Sequence, residues 1–212
     1  MKGLVLNHYY AIEKGIKSSV AAVAVLVIAA LVIQEDWALR FAVFLPFLLI
    51  PVHAFEVLKR DVLSGWNRFE ITLPVKRKQI VQSKYATFLL LLLVSLALPM
   101  VLYTAVHFLI EPVFTDIVFN FLMRGMGLVL CLAAIVYPLT FKWGTEKSDM
   151  IFILSLAFSF GTFGGVSGLL ALVIGTPDWY DQVFSLVFLI VALASFAVSY
   201  MLSQRIYKKK EF

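Results

Sequence analysis

The stretch Tyr85–Ile110 reads YATFLLLLLVSLALPMVLYTAVHFLI, 26 residues with no Asp, Glu, Lys or Arg. A helix needs about 20 predominantly apolar residues to cross a bilayer. The run is continuously apolar and lacks the alternation of a barrel strand. Lipid admits only helices or closed barrels, because backbone polar groups must be satisfied internally. The stretch therefore predicts a membrane-spanning helix. Five further runs read the same way: Ser18–Ile33, Trp37–Val57, Ile117–Phe141, Met150–Ile174 and Val183–Leu202. Ser18–Ile33 is slightly short at 16 residues, and Ile16 and Trp37 can extend its reach. The expected fold is all-α, a polytopic membrane protein of six transmembrane helices in one domain over residues 1–212.

Charge orients the runs. The connections 1–17, 58–84, 142–149 and 203–212 carry three, seven, two and four Lys/Arg. The connections 34–36, 111–116 and 175–182 carry none and hold six carboxylates. Cytoplasmic loops collect Lys and Arg, so both termini and the large loop 58–84 are expected in the cytoplasm of a cell-membrane protein. Composition agrees: 62% of residues are hydrophobic and 15% charged, against about 45–50% and about 25% in soluble domains. The net charge of +5 then reflects topology and anionic headgroups, which argues against a nucleic-acid partner. The single cysteine, Cys131, falls mid-span and cannot form an internal disulfide.

The tail 1–17 is amphipathic. Leu4, Val5, His8, Tyr9, Ala11, Ile12 and Ile16 share one helical side, and Lys2, Asn7, Tyr10, Glu13, Lys14 and Lys17 the other. This predicts a separate interfacial helix lying flat on the inner leaflet.

The loop 58–84 is the only sizeable soluble segment. Ser64 is expected to cap a short helix beginning near Gly65. Pro74 disfavours a helical Leu73 and breaks the chain, and a second helix then runs from near Lys76 into the third span. Trp66, Phe69, Ile71 and Leu73 make the segment partly apolar beside Arg68. Exposed apolar groups next to arginine mark a partner surface; folding back onto lipid or the span bases is the competing reading.

In this stretch Asp61, Gly65, Trp66, Phe69, Leu73, Pro74, Val75, Arg77, Ile80, Val81, Lys84 and Tyr85 form a pattern that resembles the small ABC-2-type permeases. Within that family it is most similar to the membrane subunits of phenol-soluble modulin exporters. The resemblance implies a bacterial exporter subunit with a coupling helix over Gly65–Leu73 that docks into a separate ATPase. The implied coupling residues are Gly65, Trp66, Arg68, Phe69, Glu70, Leu73 and Pro74. It also implies a second permease subunit, ATP and Mg on the ATPase rather than on this chain, and a lipophilic or amphipathic cargo of peptide type.

The residues set limits of their own. No G-x-x-x-x-G-K-[ST] phosphate loop occurs, so the chain lacks that route to ATP hydrolysis and is not expected to be an enzyme. No C-x-x-C, H-E-x-x-H or G-x-S-x-G occurs either, and no cofactor or metal is expected. His53 and Glu56 share a helical face, which permits metal ligation or a proton relay; a structural polar cluster at the membrane base is the expected reading. Arg124, about two turns into the fourth span, either snorkels outward to Glu111 or Asp116 or lines a substrate path. Arg40 is expected to snorkel outward and His107 to sit at the outer interface. Gly125 and Gly127, and Gly161, Gly164, Gly165 and Gly168, permit close helix packing; the four in the fifth span also fit a gating break. Pro46, Pro51, Pro99 and Pro138 can kink their spans. A secondary transporter or channel is the alternative, but it needs buried ion-coupling carboxylates or an inverted repeat, and neither is visible.

Overall fold

The computed structural model describes residues 2–33, 35–109, 116–175 and 182–209, and among these every regular element is a helix. In order they are α1 Lys2–Ile33, α2 Asp36–Leu49, α3 His53–Leu63, α4 Trp66–Thr72, α5 Arg77–Leu109, α6 Asp116–Trp143, a 3₁₀ turn Thr145–Lys147, α7 Ser148–Val173 and α8 Gln182–Lys209. Among the described residues, five segments are long and apolar enough to cross a membrane: Phe41–Leu63, Arg77–Val101, Val118–Trp143, Thr145–Val173 and Gln182–Lys209. The sixth apolar run, Ser18–Ile33, is the second half of α1 and is not among them.

The tail differs from expectation. It is not a separate flat helix over 1–17 but the first half of the unbroken 32-residue α1. The cause is one continuous stripe. Leu4, His8, Ile12, Ile16, Val23, Val27 and Ala30 are all buried at steps of three, four or seven. Turning the first half onto a membrane surface would uncover half of that stripe. α1 packs along α2, α3 and α5.

Pro51 has a local effect. It cannot donate to the carbonyl four residues back, so α2 ends at Leu49 and α3 restarts at His53. Pro46, Pro99 and Pro138 lie inside α2, α5 and α6.

α6 is the central helix. Val129 through Ala134 are buried without a break, and α8, α7 and α2 pack around it. Gly125 and Gly127 permit this. A Cβ on Gly125 would lie 2.7 Å from the Phe47 ring of α2, and one on Gly127 would lie 2.6 Å from the Phe188 ring of α8. The fifth-span glycines behave differently: no neighbour lies within 4 Å of a Cβ built on Gly161, Gly164, Gly165 or Gly168. Among the described residues no neighbouring helix packs on them, and α7 runs through them without a break. α7 attaches through Ile151, Ser155, Ser159 and Val166, with Ser159 Oγ donating to the Leu128 carbonyl at 2.7 Å.

This contrast gives a prediction. Gly127→Leu should cost about 1–3 kcal/mol by overpacking the α6–α8 contact, read as a lowered unfolding midpoint in detergent. Gly165→Leu, which meets nothing among the described residues, should leave the midpoint of the isolated chain unchanged.

Candidate functional site

α3 and α5 both run from the bundle into the loop 58–84, and α4 joins them. Ser64 does not cap α4. Its Oγ donates to the Arg60 carbonyl at 2.8 Å and closes α3 instead. The turn is made by Gly65, whose φ of 71° is left-handed, a conformation cheap only for glycine. Leu73 is extended at φ −70°, ψ 150°, as a residue before proline should be. α5 then starts at Arg77, close to the expected position.

The seven residues of α4 divide between solvent and bundle. Phe69 is 53% exposed, and Gly65, Arg68 and Pro74 are also exposed. Trp66 and Leu73 are half-buried and pack on the core, and the Trp66 and Phe69 rings lie 5.2 Å apart. Glu70 corrects the expectation that it would make polar contacts to a partner. Its exposure is 0%, because it faces inward onto Lys84 of α5.

Around Lys84 lies a buried ion cluster that the sequence reading did not assemble. Lys84 Nζ pairs with Asp61 of α3, and Glu70 Oε2 lies 3.7 Å from Nζ. At that length the second contact is an ion pair, not a hydrogen bond. His8 of α1 completes the group, with Nε2 3.9 Å from both Asp61 Oδ2 and Glu70 Oε1. Its Nδ1 lies 3.4 Å from Thr87 Oγ1. All four side chains are buried. The cluster thus fastens α1, α3, α4 and α5 at one point.

Burial sets the protonation of two members. It is the main cause that lowers the His8 pKa to about 3; the positive charge of Lys84 adds to it, and a hydrogen bond to the Ser83 backbone opposes it. His8 is therefore neutral near pH 7. Burial also raises the Glu70 pKa, against the attraction of Lys84 and with the repulsion of Asp61. The sign for His8 follows by linkage. Its folded value lies below the ordinary 6.5, so its contribution to stability is whole above pH 6.5 and is lost as pH falls toward 3. Glu70 acts in the opposite direction, since proton uptake there favours the folded state as pH falls. Between pH 7 and pH 5 the His8 contribution lowers the melting temperature of the purified chain while Glu70 opposes it, so His8→Asn should make the slope less steep or reverse it. An identical slope in the variant would show that His8 does not carry it.

The other candidates are placed as follows. His53 belongs to a polar cluster that ties α3 to α1: Ser19 Oγ lies 2.8 Å from Nε2, and Glu56 Oε2 lies 3.1 Å from Nδ1. Arg124 is buried between α6 and α8. Its Nε donates to Ser185 Oγ at 2.9 Å, and its guanidinium lies 4.8 Å from the centre of the Phe184 ring. It is turned into the bundle and fixed to α8. The side chains of Arg40, His107, Glu111 and Asp116, and the loop holding Pro177, Trp179 and Tyr180, lie outside the described residues.

A family model described as ABC-2 family transporter protein matches residues 3–208. That match spans nearly the whole chain of 212 residues, and the chain belongs to this family of membrane transport components. Comparison with curated proteins and with solved structures finds no significant match.

Proposed function

We propose that this ABC-2 family chain is the permease subunit of an ATP-driven exporter, with α4 as the element that receives the motion of a separate ATPase. The observation that carries the reading is the build of α4. It is a short helix between two long ones that enter the bundle, with Phe69 and Arg68 outward and Glu70 locked inward. A force on the outer face passes through Glu70 and Lys84 to α5, and through Asp61 to α3.

In this proposal Gly65, Trp66, Arg68, Phe69, Leu73 and Pro74 form the coupling surface, and Glu70 transmits from it. The chain crosses the membrane six times, with Ser18–Ile33 as the first span and both ends in the cytoplasm, as the cation-free connections indicate. It sits in a bacterial plasma membrane. ATP and Mg are held by the partner, since this chain lacks a phosphate loop. A second permease subunit completes the particle. Arg124, held against α8, serves the substrate path, and the open face of Gly161, Gly164, Gly165 and Gly168 serves that path or the contact with the second subunit. The cargo is lipophilic or amphipathic, of the peptide kind exported by the phenol-soluble modulin systems that the loop motif resembles.

Co-purification of the tagged chain with an ATPase subunit, followed by ATP-dependent transport in proteoliposomes, tests this. Two permease and two ATPase chains per particle are expected. Transport by this chain alone, without ATPase or ATP, would overturn the reading in favour of a secondary transporter.

A further inference from the structure

A second concentration of charge lies where the start of α5 meets the end of α8. Lys76, Arg77 and Lys78 approach from one side, and Arg205 and Lys208 from the other, around a cleft of about 690 Å³. Among the described residues no carboxylate lines it. Arg77 donates through Nη1 to the Lys208 carbonyl at 2.9 Å, so the two helix ends are tied together beside the cleft. Gln204 also lines it, and its Nε2 is buried with no hydrogen-bond partner among the described residues. Such a wall, rich in donors and cations, selects for an anion.

The same wall has an apolar upper edge. Val198, Met201, Arg205 and Lys208 follow one face of α8 at steps of three and four residues. Val198 and Met201 are about half exposed on a helix apolar enough to cross a membrane. Met201 stands about 6 Å above Arg205 along the axis. A soluble anion has no use for an exposed methionine and valine above its binding groups. A phosphodiester attached to acyl chains does, and basic pockets between membrane helices suit such headgroups.

We infer that this cleft binds an anionic glycerophospholipid, its phosphate held by Arg77, Arg205 and Lys208 and an acyl chain laid along Met201 and Val198. The chemistry shared with free phosphate is the phosphate oxyanion; the acyl chain separates the two. The site is independent of the coupling reading, because a bilayer supplies this ligand whether or not an ATPase binds.

Native mass spectrometry of the full chain in detergent, titrated with dioleoylphosphatidylglycerol or dioleoylphosphatidylcholine, tests it. A saturable phosphatidylglycerol adduct is expected, with markedly weaker phosphatidylcholine binding. Each cation near a headgroup contributes roughly five-fold in affinity, so R205Q/K208Q should weaken the adduct roughly twenty-five-fold. R205K/K208R should retain it. Met201→Asp should weaken it with the cations intact. Excess inorganic phosphate should not displace the lipid. The inference fails if both lipids bind alike, if R205Q/K208Q binds as wild type, or if phosphate competes. It also fails if R205Q/K208Q keeps the lipid but loses a co-purifying ATPase, which would make the cleft a protein interface.

Discussion

Lys84→Met should destabilise the chain by about 3–5 kcal/mol, the usual consequence of leaving buried charge without its partner. Lys84 is the only cation among the four side chains of the cluster. Without it, Asp61 and Glu70 face each other at 4% and 0% exposure. Protonation can relieve one carboxyl, and Glu70 is already displaced in that direction by burial; the buried Asp61 carboxylate would still lose its ion-pair partner. The expected reading is a large fall in the unfolding midpoint of the purified chain. Neutralising all three together, as D61N/E70Q/K84M, should recover most of the loss, since an uncharged set of similar volume is often no less stable than a buried ion pair. That rescue separates lost charge balance from lost packing. A Lys84→Met protein that melts with the wild type would show that the cluster is solvated or uncharged in the folded state.

The cluster was legible in part. His8 falls on the apolar side of its helix with Leu4, Ile12 and Ile16. Asp61 continues the buried face of Ala54, Val57 and Leu58 in α3. Lys84 interrupts the buried stripe of Ile80, Val81 and Phe88 in α5. Each is a polar residue where periodicity calls for an apolar one, and a buried polar group needs a partner. Periodicity shows that a partner is required but not which one, because the pairing depends on how α1, α3, α4 and α5 converge. Glu70 was misread for the same reason. A helix of seven residues has too few positions for its inner and outer faces to be separated from sequence.

Five of the six apolar runs fall on segments long and apolar enough to cross a membrane among the described residues, because membrane-spanning length is a property of one segment; Ser18–Ile33 falls inside α1 instead. The joint between α2 and α3 follows from Pro51 alone. The roles of the glycines do not follow from spacing. Gly125 and Gly127 face Phe47 and Phe188, while the G-x-x-x-G repeats of α7 face no neighbour among the described residues. A small residue permits close approach, but the neighbour that uses it is set by the tertiary arrangement. The unbroken α1 was missed because an amphipathic stripe alone does not distinguish a lipid surface from the flank of α3 and α5.

Phe69→Ala should weaken binding of the proposed ATPase partner by about 2 kcal/mol, roughly thirty-fold in affinity, the scale of an aromatic anchor truncated at an interface centre. Phe69 is the cleaner of the two aromatic tests. Trp66 is half-buried, packs on the core and lies in tilted contact with the Phe69 ring, so Trp66→Ala removes internal support as well as contact surface. Its effect should therefore appear in both the unfolding midpoint and the ATPase affinity, whereas Phe69→Ala should lower affinity and transport at a nearly unchanged midpoint. Arg68→Ala, at an exposed position beside Phe69, should have a smaller and salt-dependent effect on association. Glu70→Gln distinguishes docking from transmission. It leaves the outer face of α4 intact but weakens the ionic tie to Lys84, so the ATPase should still bind while transport per ATP hydrolysed falls. Should Phe69→Ala and Trp66→Ala both retain wild-type ATPase affinity and transport, α4 is not the docking element. In that case the burial of Glu70 against Lys84 serves only to hold the loop to the bundle.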